Sequence, residues 1–264
     1  MAKQIIKIEM NKNDLIRGSL EYHINNAKKM FKEYSFPKLL EHELNTAEDV
    51  VWLPSPDFDA NAAKEESKNQ LIDLLNDKPL HEQLENLLNT TFDVNTDDIQ
   101  EHIENQLINS FSEISSSILS ERNGFDLNLL FLEHDYSSAA CFCGYEDLNY
   151  EFKILSGQEY LEFNYNKEIF NGVGKFDYTP FLLPMMQYEE EIGEDKVHAI
   201  NEAISMTGYL DEVKKYFLLY AYLGTHLCFN RINDKIRKID MPWHEEVFVF
   251  VNEHDCEQLN VFVL

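Results

Sequence analysis

The sequence is poor in cysteine and in basic residues. Four of its 264 residues are cysteines, which argues against a dense disulfide scaffold and favours reduced thiols. Lys and Arg together number 22 against 48 Asp and Glu, so the formal net charge is -26. A field of this sign repels nucleic acid and anionic membranes, and direct binding to either is not expected. The same field favours a basic protein as a partner.

The sequence also lacks an apolar run long enough to cross a membrane, which requires about 20 residues. The N-terminal stretch MAKQIIKIEMNKNDL contains no continuous apolar segment and no small-residue cleavage pattern, so no export signal is expected. These absences predict a cytoplasmic protein.

Motifs of several enzyme classes are missing as well. Gly172-Val173-Gly174-Lys175 lacks the other residues of a phosphate-binding loop, and the chain contains no G-x-S-x-G sequence. Cys141 and Cys143 are separated by one residue, and without a second pair of ligands this spacing favours two small buried thiols over a zinc site. We therefore expect neither an enzyme nor a bound cofactor.

The chain does contain one long segment in which apolar density coincides with a helical repeat, Leu210 to Ile232. Its apolar residues extend beyond one stripe, which is typical of a helix covered on more than one side. The segment predicts a central buried helix. The residues expected to face inward are Val213, Phe217, Tyr220, Ala221, Leu227 and Cys228.

The first 120 residues show helical periodicity, and the pattern changes at Asn123-Gly124. Helices are predicted from Asn13 or Asp14 onward, over Leu39–Leu44, Ala62–Asn76 and Leu80–Asn89, and after an N-cap at Thr96, while the prolines of Val50–Asp59 indicate an extended connector. Strands are predicted at Phe125–Tyr136, Ala139–Tyr145, Tyr150–Leu155, Tyr160–Tyr165, Glu246–Val251 and Leu259–Leu264. Glycines and prolines indicate a loop over Ile169–Pro184, followed by a helix over Glu194–Thr207.

These patterns predict one α+β domain over residues 1–264. A helical N-terminal half would pack with a C-terminal half that contains a mainly antiparallel sheet and the central buried helix. A subdivision into 1–122 and 123–264 is the alternative.

The tripeptide Glu-His-Asp occurs twice, at 133–135 and at 253–255, each time at the end of a predicted strand. Imidazole and carboxylate groups are ligands for zinc, iron or manganese, so a metal-dependent enzyme is one alternative function. A solvated rim of the sheet is the simpler interpretation, because adjacent strand residues point to opposite faces. We therefore predict no metal site.

A dense acidic run follows a short apolar segment before the predicted central helix. The combination of steering charge with adaptable apolar groups is typical of a partner-binding surface, although acidic residues also suit a solvated helix start. The residues of this candidate site are Met185, Met186, Tyr188, Glu189, Glu190, Glu191, Glu194 and Asp195.

Four stretches between Phe125 and Leu264 resemble immunity proteins of bacterial polymorphic toxin systems, including those paired with contact-dependent and type VI secretion effectors. They are DLNLLFLEHDY, EYLEFNYNKEIF, KKYFLLYAYLGTHL and EVFVFVNEHDCEQLNVFVL. The resemblance implies a small cytosolic protein that binds one toxin and occludes its active site, often with an acidic surface where the toxin is a basic nuclease. A non-catalytic regulatory or scaffold module is a further alternative.

Overall fold

The computed structural model describes residues 11–46, 60–90, 92–94, 96–118, 124–134, 139–155, 167–204, 208–253 and 258–264. Contacts divide the described residues into two compact units. The first unit comprises the described parts of Met1–His23, Asp93–Pro180 and Leu219–Leu264, and the second comprises those of Ile24–Phe92 and Phe181–Leu218. That the whole chain is one domain stays a prediction.

Eight helices are formed by the described residues. Their bounds are α1 (Lys12–Glu33), α2 (Phe36–Thr46), α3 (Ala60–Asn76), α4 (Lys78–Leu88), α5 (Asp97–Ser117), α6 (Thr179–Ile192), α7 (Glu194–Ala203) and α8 (Tyr209–Ile236). The first five precede every strand, as the sequence predicted, and the α+β class is confirmed. Asp77 caps α4, because its Oδ1 accepts a hydrogen bond from the backbone N–H of Leu80 at 3.2 Å.

A five-stranded sheet lies in the first unit, with the order β3-β2-β1-β4-β5. The strands are β1 (Leu127–His134), β2 (Ala139–Tyr145), β3 (Glu168–Asp177), β4 (Trp243–Glu253) and β5 (Leu259–Val263). Three of the four pairings are antiparallel, and β1 pairs with β4 in parallel. The sheet is therefore mixed but mainly antiparallel.

The two faces of this sheet are covered differently. On one face, Phe111 of α5 contacts Phe142 of β2 and Phe229 of α8, with ring centroids 5.2 and 6.2 Å apart, and Phe229 stacks on Phe262 of β5. On the opposite face, the ring of Tyr150 packs on β4. The central strand β1 is consequently buried along almost its whole length.

The segment predicted as a loop, Ile169–Pro184, is instead a strand followed by a helix. Gly172 and Gly174 have φ of 67 and 76, and the register between β2 and β3 shifts on both sides of Phe142, so the glycines serve bulges inside β3. Pro180 is tolerated because it lies in the first turn of α6, where its missing N–H would have no partner in the helix. Pro184 lies inside α6 and removes one hydrogen bond to the carbonyl of Pro180.

The strand prediction for Tyr150–Leu155 is wrong, because this segment forms no regular element. It is nevertheless held to the sheet, since the backbone N–H of Leu155 donates to Asn260 Oδ1 at 2.7 Å. The predicted connector at Val50–Asp59 and the predicted strand at Tyr160–Tyr165 lie outside the described residues.

The central helix is confirmed as α8, which contributes Tyr209–Leu218 to the second unit and Leu219–Ile236 to the first. Five of the six residues expected to face inward are buried, and Leu227 is only half-buried. Phe229 instead fills the core, with none of its surface exposed. Of the helices in the described part of the chain, none has the length and apolarity to cross a membrane.

The second unit is helical. Phe92 packs between Phe181 of α6 and Phe217 of α8, with ring centroids 5.9 and 5.5 Å away. Leucines of α3 and α4 supply further buried side chains, including Leu74 and Leu84. This core places α6 and α7, which carry the predicted partner-binding residues.

Candidate partner-binding surface

The predicted site residues occupy two consecutive helices of the second unit. Met185 to Glu191 lie in α6, and Glu194 and Asp195 open α7. Gly193 joins the helices with a φ of 83, a conformation that favours glycine. The backbone N–H groups at the start of α7 stabilise the two acidic residues there through the helix dipole.

Two of the predicted contact residues belong to the core. Met185 is 2% exposed and Tyr188 is 5% exposed, so both side chains anchor α6 within the second unit. Burial raises the pKa of the Tyr188 hydroxyl, as expected for a phenol removed from water. Their apolar character, read from the sequence as adaptable contact surface, reflects the inner face of an amphipathic helix.

An exposed apolar pair takes their place at the surface. Leu183 and Met186 are 45% and 47% exposed, and Leu183 was not among the predicted site residues. Positions 183, 186 and 190 follow steps of three and four, so Glu190 shares their face of α6. This periodicity is readable in the sequence, but the predicted loop over Ile169–Pro184 concealed it.

The acidic residues differ in exposure. Glu190, Glu191, Glu194 and Asp195 are exposed, whereas Glu189 is half-buried. Burial raises the pKa of Glu189, and Lys214 partly opposes that shift. Glu189 is therefore the member of the acidic run most involved in the fold of the second unit.

Polar contacts join both helices to α4 and its N-cap Asp77. Gln83 Nε2 donates to Glu191 Oε1 at 3.1 Å, and Lys196 Nζ donates to Asp77 Oδ2 at 2.5 Å. The bond from Lys196 lowers the pKa of Asp77. The surface is thus supported by neighbouring helices. Its exposed residues, which we call the α6–α7 surface, are Leu183, Met186, Glu190, Glu191, Glu194 and Asp195.

The strands that carry the two Glu-His-Asp tripeptides are neighbours. β1 and β4 are parallel, and His134 is in register with Glu253, so the described residues of the tripeptides, Glu133, His134 and Glu253, lie at the same end of these two strands. His134 is 2% exposed, however, and its Nε2 lies 2.6 Å from the Tyr222 hydroxyl oxygen. Asp135, His254 and Asp255 lie outside the described residues. Within the described ranges, no group of three His, Cys, Asp or Glu side chains could hold a metal ion.

The C-x-C pair lies on β2, where Cys143 is buried and Cys141 is half-buried. The pKa of the Cys143 thiol is raised, first by its hydrogen bond with Cys141 and then by burial. Its Sγ also lies 3.2 Å from Asn171 Oδ1, a second acceptor within reach of the single thiol proton. A protonated, bonded thiol is a poor nucleophile.

Comparisons of the chain with protein families, with curated proteins and with solved structures found no match to any of them.

Proposed function

We propose that this protein binds a basic protein toxin and neutralises it by covering the toxin's active site or substrate groove. The observation that carries the proposal is the α6–α7 surface, where the exposed Leu183 and Met186 adjoin exposed carboxylates on the same pair of helices. Apolar groups next to charge are suited to a partner whose contact face is itself basic with an apolar centre.

The charge of the whole molecule supports a basic partner. At a formal charge of -26, the chain attracts cationic proteins over a distance set by the ionic strength. Carboxylates at the rim of a contact accelerate association more than they slow dissociation. A toxin that must be blocked soon after it enters a cell makes rapid association useful.

The apolar pair Leu183 and Met186 supplies the hydrophobic contribution to binding, which the carboxylates do not supply. Leu183 and Met186 expose nearly half of their side chains to water, and their burial would stabilise a complex in proportion to the apolar area removed from solvent. Methionine adapts its shape to irregular surfaces. We therefore expect Leu183 and Met186 to govern dissociation and the carboxylates to govern association.

A growth assay tests the function. The protein encoded by the gene beside this one would be expressed in a bacterial host, alone and together with this chain. We expect the neighbouring protein to arrest growth and the chain to restore it. Arrest that the chain does not relieve, or a neighbouring protein that is harmless, would contradict the proposal.

Binding kinetics test the surface. A variant with Glu190→Gln, Glu191→Gln, Glu194→Gln and Asp195→Asn should associate with the toxin about tenfold more slowly at low salt, with a smaller change in dissociation. The matched control neutralises four exposed acids elsewhere, through substitutions of Glu65, Glu66, Glu101 and Glu113 by Gln. Equal association rates for the two variants would place the binding face elsewhere.

The apolar pair has its own test. Leu183→Ser with Met186→Ser should weaken toxin binding about tenfold or more through faster dissociation, while association changes little. Gln187→Ser alters an exposed residue of the same helix and serves as the control. If both variants dissociate at the wild-type rate, the pair makes no contact with the toxin.

A further inference from the structure

A second candidate site lies in a cavity of about 640 Å³ within the helical second unit. Its walls come from the end of α1, the start of α2, the length of α4 from His81 to its C-cap Asn89, and the first two turns of α8. The volume falls in the range of cavities that hold small molecules. None of the residues of the α6–α7 surface lines it, so the two sites are separate.

The charge of the cavity wall is opposite to that of the protein as a whole. Its 13 lining residues include two lysines, Lys28 and Lys32, and one acid, Glu85, although acids outnumber bases by 48 to 22 in the chain. The lysines are one helical turn apart on α1, so their side chains project to the same side. Lys32 has no hydrogen-bond or ion-pair partner among the described residues.

The start of α2 adds to this positive potential. Ser35, Phe36 and Pro37 belong to the cavity wall, and the 11-residue helix α2 begins at Phe36. The helix dipole makes such a terminus favourable for an anion, although Pro37 contributes no N–H there. The lysines and the helix terminus therefore both favour a negatively charged ligand.

The remainder of the wall is aromatic and aliphatic. The ring of Phe31 meets the rings of Tyr209 and Tyr216 edge to face, each at a centroid distance of 5.8 Å. The ring centroids of Phe36 and Tyr209 are 4.9 Å apart. Leu84 and Leu88 of α4 complete the apolar lining. Such walls bind the apolar body of a ligand, and a few polar groups orient it.

One polar group deep in this wall has a proton with no acceptor. Tyr209 is 4% exposed, and no acceptor for its hydroxyl proton lies within hydrogen-bond distance among the described residues. Burial raises the pKa of this hydroxyl, and the backbone of Phe36 only partly opposes the shift. The neutral hydroxyl therefore keeps a proton that it can donate.

We propose that the cavity binds a small organic anion, with its carboxylate at Lys28, Lys32 and the Tyr209 hydroxyl and its apolar body against Phe31, Phe36 and Leu84. The ligand class is a monocarboxylate that carries an aliphatic chain or a small aromatic ring system. This assignment rests on the cavity alone and does not depend on the proposed toxin partner.

Calorimetric titration of the full chain tests the ligand class. Decanoate represents the aliphatic source and 2-naphthoate the aromatic one, while decyltrimethylammonium has a comparable apolar body and the opposite charge. We expect one-to-one binding of at least one carboxylate, with affinity that falls as salt is added, and at least tenfold weaker binding of the ammonium compound. Failure of both carboxylates to bind, or equal binding of the ammonium compound, would overturn the proposal.

Paired variants locate the site. Lys28→Gln with Lys32→Gln should weaken carboxylate binding about tenfold or more, the loss expected when hydrogen bonds to charged groups are removed. Lys29→Gln with Lys38→Gln removes the same charge from exposed positions outside the cavity wall and should leave affinity within about twofold. Equal losses in the two variants would show a general effect of charge and refute a site at the cavity.

A third variant tests the apolar part without altering charge. Ser35→Trp places a large ring at the wall, where Ser35 is half-buried. We expect carboxylate binding to fall at least tenfold while the circular dichroism spectrum stays that of the parent chain. If instead the folded variant binds as the parent does, the ligand lies outside the cavity.

Tyr209→Phe, which removes only the hydroxyl, tests the same location if Ser35→Trp fails to fold. Loss of the hydrogen bond from this hydroxyl should weaken carboxylate binding about threefold or more. Unchanged affinity in Tyr209→Phe would likewise place the ligand outside the cavity.

Discussion

At the scale of single residues, burial separates Phe217 from Leu227, which have the same apparent role in the sequence. Phe217 has none of its surface exposed and meets Phe92 edge to face at 5.5 Å, whereas Leu227 is half-buried. Phe217→Ala should lower the free energy of unfolding by about 3 to 5 kcal/mol, and Leu227→Ala by less than about 2 kcal/mol. A denaturant titration measures both. Equal costs would mean that the environments of the two residues are not as different as the structure indicates.

A buried histidine gives the fold a dependence on pH. His226 Nδ1 lies 2.7 Å from the Val261 carbonyl oxygen, so this nitrogen carries the proton of the neutral ring and donates it. Burial lowers the pKa of His226 below its ordinary 6.5, and the bond to Val261 opposes this only in part. The unfolded chain then binds a proton more readily than the folded chain, so protonation favours unfolding.

The contribution of His226 to stability is therefore complete above its ordinary pKa of 6.5 and is lost as the pH falls below that value towards the lowered pKa. We expect unfolding midpoints in urea to decrease from about pH 7.5 to about pH 5.5. His226→Gln keeps a donor for Val261 and should reduce this slope. Part of the slope should remain, because burial also lowers the pKa of His23. An unchanged slope in the variant would contradict this account.

At the scale of elements, strand β3 depends on two glycines that differ in their surroundings. Gly172 and Gly174 both have positive φ, but a Cβ added at Gly174 would lie 2.7 Å from Ser110 Cβ, while one at Gly172 meets nothing within 4 Å. Gly172→Ala should cost about 1 to 2 kcal/mol for its backbone conformation alone. Gly174→Ala should cost more, because α5 must also move away from β3. Thermal or denaturant unfolding of both variants checks which substitution lowers the stability more.

The same strand shows where sequence patterns stopped being informative. Regular periodicity predicted α8 and both strands β1 and β2 closely, because burial of one face or of a whole element leaves a repeat in the sequence. In β3, bulges interrupt the alternation of period two, and glycine and proline then indicate a loop. Gly174 lies so close to Ser110 that an added Cβ would collide with it, and Ser110 Oγ donates to the Lys175 carbonyl at 3.0 Å. No local pattern records this approach across 64 positions of sequence.

The candidate site was predictable in its charge and not in its apolar part. Acidic residues next to the start of α7 were readable as exposed, since carboxylates are seldom buried. Which of Leu183, Met185, Met186 and Tyr188 faces water depends on the helical phase of α6, and that phase requires knowing where α6 begins. The cavity beside Lys32 could not be predicted, because α4 and α8, which form part of its walls, are distant in sequence from α1 and α2.

At the scale of the whole molecule, the net charge of -26 makes self-repulsion a general cost to folding. Ion pairs reduce this repulsion locally. In the first unit, for example, Arg231 and Lys235 both pair with Glu104. Exposed pairs of this kind contribute little, typically about 0 to 1 kcal/mol each. The stability of the protein should therefore respond to ionic strength more than to the loss of any one ion pair.

This dependence can be measured with the two charge variants described for the binding experiments. Each removes four of the 48 acidic side chains, one set from the α6–α7 surface and one from Glu65, Glu66, Glu101 and Glu113. Because self-repulsion depends on net charge, both variants should melt slightly above the parent chain at about 0.01 M salt, and the differences should vanish at about 1 M salt. The parent chain itself should gain stability over the same range.

Circular dichroism melting curves of the parent chain and both variants at the two salt concentrations measure these differences. If the α6–α7 variant alone were destabilised at both, its carboxylates would serve the fold through local contacts such as that of Glu191 with Gln83, and they would be less available to a partner.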